Sequence, residues 1–83
     1  MDTNMRAHID MRRTGERIKA LMAERGFTVD DLMQITGITT KQGIYRWLRG
    51  ETLPSLENML AISRAMELDS IEELLVVEYR HTK

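Results

Sequence analysis

Residues 28–50, TVDDLMQITGITTKQGIYRWLRG, place two short amphipathic segments on either side of Gly37. No other stretch constrains the fold as tightly. The first segment opens on Thr28, whose side-chain oxygen can satisfy an unpaired N–H at a helix start. Asp30 and Asp31 follow in the first turn, where the helix dipole favours acids. Leu32, Met33 and Ile35 supply its inner face, and Gly37 is the residue on which a helix commonly ends. Thr39-Thr40-Lys41-Gln42 then reads as a T-x-x-Q capping box opening a second helix over about residues 40–49. Two helices joined by so short a turn are held at a fixed angle to one another.

The rest of the chain follows the same grammar. From Met11 to Arg25, Ile18, Leu21 and Met22 fall at helical spacing, and Gly26 stops the run. Residues 50–54 form a loop, after which Ser55 caps a segment with Leu56, Met59, Leu60 and Met66 on one side. Ser70 and Glu73 make a second capping box, with Ile71, Leu74 and Leu75 as the inner face of the helix it opens. No strand signal precedes the last residues. These observations predict an all-α chain of five short helices in a compact orthogonal bundle. Residues 1–10 are expected as an N-terminal tail, 11–77 as the domain and 78–83 as a C-terminal tail.

Composition narrows the function. At 83 residues the chain makes one small domain, with no space for a separate catalytic or ligand-binding domain. Four aromatics and no cysteine leave Leu, Ile and Met to build the core, and rule out disulfides or a cysteine-based zinc site. No apolar run approaches the ~20 residues of a membrane span, and the first residues lack a signal-peptide apolar region. A cytoplasmic location without membrane contact is therefore expected. His8 and His81 have no partner at ligand or triad spacing and read as surface histidines, and the methionines as fillers of core gaps. With no nucleophile–base pair, phosphate loop or metal cluster, neither an enzyme nor a cofactor is expected.

Net charge is −1, which does not announce a nucleic-acid binder, but the charge is unevenly placed. Residues 1–50 carry nine Lys/Arg against six Asp/Glu, and residues 51–83 carry three against seven. One face can thus approach phosphates while another stays away. On the second helix of the pair, at about 100° per residue, Ile44, Trp47 and Leu48 share one side. Gln42, Arg46 and Arg49 lie opposite, with Tyr45 at the edge and Lys41 on a flank. Long hydrogen-bonding side chains with no acid among them suit base edges: Arg and Lys pair with guanine, Gln with adenine. An ordinary solvated helix face gives the same pattern, so the residues alone leave both readings open. Trp47 reads as a core aromatic, and Gly43 as a residue allowing close packing or close approach to DNA.

The segment from Thr14 to Leu75 resembles the Cro/CI-type (XRE family) helix-turn-helix domain of phage repressors and bacterial regulators. The resemblance lies in GERIKALMAERG of the first helix, in Leu32 and Gly37 around the turn, in IYRWLRG ending the third helix, and in PSLENMLAISRAMELDSIEELL. It implies a lambda-repressor-like bundle that binds double-stranded DNA with its third helix in the major groove, as a small transcriptional regulator of the repressor kind and a homodimer. Carried over by position, the base readers are Lys41, Gln42 and Arg46, with Thr39, Thr40, Tyr45 and Arg49 on the backbone. The chain departs from the family pattern in three places. Val29 stands where the family often has a phosphate-contacting Gln. The turn before Ile44 is one residue longer than the commonest form, which affects the register of Thr39 and Thr40. Met22 and Leu48 replace a buried Arg–Glu pair, an exchange of two charges for two apolar groups that packing tolerates. The two are expected to meet in the core. Val76, Val77 and Tyr79, in VVEYR, offer a dimer element. The alternative is a protein-interaction module on the same fold, such as an antitoxin, an anti-repressor or an assembly subunit.

Overall fold

The computed structural model describes residues 5–81. In chain order these form strand β1 (Met5–Ile9), helices α1 (Met11–Arg25), α2 (Val29–Thr36), α3 (Lys41–Leu48) and α4 (Leu56–Ala65), a single 3-10 turn (Ile71–Leu74), and strand β2 (Val77–His81). The helices start where local chemistry dictates. Asp10 caps α1 by accepting from the Arg13 N–H at 2.9 Å. Thr28 and Asp31 close a reciprocal box at the start of α2, and Ser55 caps α4 through the Asn58 N–H. α2 ends on Gly37 in the left-handed conformation.

One core joins the four helices. Ile18, Leu21 and Met22 of α1, Leu32 of α2, Ile44 and Trp47 of α3, Ile62 and Met66 of α4, and Leu74 are buried together. Trp47 is a core aromatic, as its phase beside Ile44 indicated. Met22 is buried and Leu48, partly buried, packs on the same cluster, so both positions border the one core. The inner face of α4 differs from the sequence reading. Ile62, Ser63 and Met66 are buried there with Met59 packed alongside, while Leu56 and Leu60 are exposed. Positions 59, 62, 63 and 66 follow the helical repeat of one stripe, which leaves Leu56 and Leu60 on the outer side of the helix.

The fifth helix does not form. After one 3-10 turn the backbone at Leu75 is already extended. The Glu73 carboxylate does reach back, accepting from the N–H groups of Asp69 and Ser70, but the chain beyond it is committed to β2. The N–H of Val76 donates to the buried Thr14 hydroxyl at 3.0 Å, and its carbonyl accepts from Asp10. Of the segments expected as tails, residues 1–4 and 82–83 lie outside the described residues, and the parts described pair with each other instead. β1 and β2 run antiparallel, with Met5 opposite His81, Ala7 opposite Tyr79 and Ile9 opposite Val77. Each strand satisfies the backbone groups of the other, and β-branched Val76 and Val77 favour extended backbone over helix. The architecture is thus four α-helices with a two-stranded ribbon, predominantly helical rather than a five-helix bundle.

Two arginines tie this frame together. Arg17 donates through Nε to the Glu73 carbonyl. Arg25 donates to the Met66 carbonyl at 2.6 Å, satisfying acceptors that helix ends leave open. Part of the basic excess of the first fifty residues is therefore spent on the fold.

Candidate nucleic-acid interface

The outward surface of α3 is fixed from both ends. At its start, Thr40 is the capping residue and its hydroxyl accepts from the Gly43 N–H at 3.3 Å. The cap thus sits one residue later than the T-x-x-Q reading of Thr39 and Gln42. The third position of the helix is Gly43, which has no side chain to return the bond, so no capping box forms. Gly43 itself lies against the turn, where a methyl group would stand 2.9 Å from Cγ2 of Ile38. Its role is packing, against the inter-helix turn rather than against α2.

The other end of α3 is clamped by close backbone approach. A Cβ on Gly15 of α1 would lie 2.5 Å from the Trp47 carbonyl oxygen and 2.6 Å from that of Leu48. Gly50, at φ +76, brings the chain so close to α1 that its Cβ would meet Arg12 Cα at 2.5 Å. An L-residue would be strained there even without the neighbour. α1 and the last turn of α3 therefore touch backbone to backbone.

On this fixed helix, Ile44 and Trp47 face inward, while Thr39, Thr40, Lys41, Gln42, Tyr45, Arg46 and Arg49 are all exposed. The candidate readers and positioners thus share one solvent-facing surface that runs from the turn to the end of α3. Val29 does not join them. It is the first residue of α2 and packs against the core, so the phosphate contact that a Gln offers there is missing.

The surface is not acid-free, however. Glu51, two residues beyond Arg49, accepts a hydrogen bond from Arg49 Nε at 2.5 Å and lies 3.8 Å from Arg46 Nε. The chain turns back at Gly50, and the Glu51 N–H donates to the Arg46 carbonyl, which returns the carboxylate to the helix it has just left. The hydrogen bond from Arg49 holds the Glu51 carboxyl below the usual glutamate range, and the same bond raises Arg49. At the opposite end, Lys41 Nζ lies 3.9 Å from Asp30 of α2. All three cations of the surface thus have an acid beside them, whereas Gln42 has no side-chain partner among the described residues. Glu51 was missed in the sequence because helical phase was followed only as far as the helix end. The spacing Arg46, Arg49, Gly50, Glu51, with a glycine to reverse the chain, was the available signal.

A family model describing the Cro/C1-type helix-turn-helix DNA-binding domain matches residues 17–79. The chain belongs to this family. The match runs from within α1 into β2 and contains the whole α2–turn–α3 unit, and the family is one of DNA-binding domains. A comparison with curated proteins finds no match. No helix among the described residues is long and apolar enough to cross a membrane.

Proposed function

We propose that the protein is a sequence-specific transcriptional regulator, a repressor, which docks α3 in the major groove of double-stranded DNA. Lys41, Gln42 and Arg46 read base edges, and Thr39, Thr40, Tyr45 and Arg49 flank them at the backbone. The observation that carries this reading is the single exposed face of α3, on which all these residues stand while both helix ends are locked to the body of the domain. Rigid support of this kind suits base recognition, which tolerates little misplacement of the hydrogen-bonding groups.

One helix reads few base pairs, so the active form is a homodimer with two α3 helices about 34 Å apart on a palindromic site. The β1–β2 ribbon supports this. Its register places Met5, Ala7, Ile9, Val77, Tyr79 and His81 on one face, and Met5 and Tyr79 are exposed. A lone two-stranded ribbon is marginal in water, and a face apolar but for one histidine is suited to a second copy. On this reading the protein works in the cytoplasm.

Selection from a random duplex library tests the proposal. The wild-type chain is expected to enrich a palindrome. Arg46→Ala should weaken binding to the enriched site by about 1–3 kcal/mol and relax the base it reads, and affinity should fall with salt by roughly 0.9 log units per log unit for each phosphate neutralised. Absence of binding to any duplex would refute it. The second reading, a protein-interaction module such as an antitoxin, draws on the acids beside Lys41, Arg46 and Arg49 and on the inward Val29. It predicts instead a stable protein partner whose capture is indifferent to Arg46→Ala.

A further inference from the structure

Exposed ion pairs add little to stability, so Glu51 is not needed for the fold, and its carboxylate stands where a polyanion is proposed to dock. Its grip on the two arginines is unequal. Arg49 is hydrogen-bonded to it at 2.5 Å, whereas Arg46, at 3.8 Å, is attracted without being bonded. We propose that Glu51 is a specificity-determining residue of the DNA interface, acting through Arg46 and Arg49 as a restraint on charge-driven binding. This rests on the DNA-binding reading of α3 given above.

The physical argument runs through what each kind of duplex offers. Binding to random sequence is carried by cations that find phosphates, and it is indifferent to bases. Without Glu51, two long guanidinium side chains three residues apart would both be available to any phosphate. With Glu51, the cluster of Arg46, Arg49 and Glu51 carries a net charge of +1 instead of +2, and Arg49 holds its Nε–H in a short charge-assisted bond to the carboxylate. Arg46 uses Nε toward the carboxylate, which leaves the N–H groups of its terminal nitrogens for a partner. A guanine edge accepts two of those N–H groups in one plane, at O6 and N7, so this contact does not depend on the excess charge that draws the chain to phosphates. Glu51 therefore lowers affinity for every duplex through charge while sparing the base contact that Arg46 makes. It is a positioning residue that touches no base.

The test measures wild type, Glu51→Gln and Glu51→Asp on two probes. One is the duplex enriched by wild type from a random library, and the other is a random-sequence duplex of the same length; each is titrated across a range of salt. If Glu51 restrains the arginines, Glu51→Gln binds the random duplex more tightly, by about eightfold at 0.1 M salt for one additional phosphate contact, and its log–log salt slope steepens by about 0.9. Its preference for the enriched site over the random duplex falls several-fold, Glu51→Asp keeps most of that preference, and the thermal midpoint of Glu51→Gln stays within a few degrees of wild type. An unchanged preference and slope in Glu51→Gln, with wild type binding its enriched site, overturns the inference and leaves the DNA reading intact. Failure of wild type and Glu51→Gln alike to bind either duplex overturns both.

Discussion

Gly15→Ala separates what α1 wants as an isolated helix from what its contact with α3 permits. In a solvated helix interior, Ala is favoured over Gly by about 1 kcal/mol. At position 15 the added methyl would stand 2.5 and 2.6 Å from the carbonyl oxygens of Trp47 and Leu48 and 2.9 Å from the Leu48 carbonyl carbon, whereas ordinary contact begins at 3.4 Å. These neighbours are backbone, so no side chain can rotate away. Retreat of α3 from α1 would also pull Gly50 out of its close backbone contact with Arg12 of α1. Overpacking of this kind costs roughly 1–3 kcal/mol, and rigid backbone on both sides argues for the upper end, so a net loss of about 2 kcal/mol remains after the propensity gain. For a domain of this size that is a fall of about 8–16 °C in Tm. Urea denaturation followed by circular dichroism measures it directly. A variant as stable as wild type, or more stable, would show that α1 and α3 do not meet at Gly15 and would refute the clamp. If α3 does shift to accommodate the methyl, binding to the enriched duplex should also drop at temperatures where the variant remains folded.

Three further predictions follow from other contacts. Thr14→Val keeps the shape of a buried side chain but leaves the Val76 N–H without its acceptor, and should cost about 1–3 kcal/mol in urea denaturation; amide exchange at Val76 should quicken more than at Ile18. Glu67 is the one non-glycine residue with positive φ among the described residues, at 58°, just past the end of α4. Glu67→Gly should therefore raise stability by up to about 1 kcal/mol, read as a higher urea midpoint, and a lower midpoint would argue against the left-handed cap. Glu51 should titrate below the ordinary glutamate range in a carboxyl NMR titration, because Arg49 bonds its charged form. A lowered folded-state value means that the pair's contribution is present above the ordinary glutamate pKa and lost as pH falls through the lowered one. Arg49→Ala should return the titration upward.

Sequence reading succeeded where the determining contacts span a turn or less. The caps at Thr28 and Ser55, the stops at Gly26 and Gly37, and the apolar phases of α1 and α3 each depend on residues no more than four apart. It failed where partners are remote. Nothing local in residues 5–9 shows that they pair with residues 77–81, although Met5, Ala7 and Ile9 do alternate, and the bond from Val76 to Thr14 spans 62 positions. Those contacts convert two expected tails into a ribbon and cut the fifth helix to one turn. For α4, the early Leu56 and Leu60 suggested an inner face, whereas the stripe through Ile62, Ser63 and Met66 is the one that packs. At the candidate interface every nominated residue is exposed, but the cap is Thr40 rather than Thr39, with the Gly43 N–H rather than that of Gln42 bonded to it.

The weak overall charge of the chain acquires a physical meaning from these contacts. Arg17 and Arg25 serve backbone carbonyls of the last third of the chain, and Arg13 lies 3.7 Å from Asp10 at the start of α1. Lys41, Arg46 and Arg49 each have an acid within 4 Å. On the proposed reading, then, few cations are free to hold a random duplex, and affinity has to come from correctly placed hydrogen bonds more than from accumulated charge. That demand is met only if the reading helix is immobile, because a base contact loses its value when the donor wanders. The glycines at 15, 43 and 50 are where the chain secures this. Each lets α3 approach its support more closely than any side chain would allow. A protein of this design trades general adhesion for discrimination, and the Glu51 carboxylate and the Gly15 contact are the two places where that trade can be reversed by a single substitution.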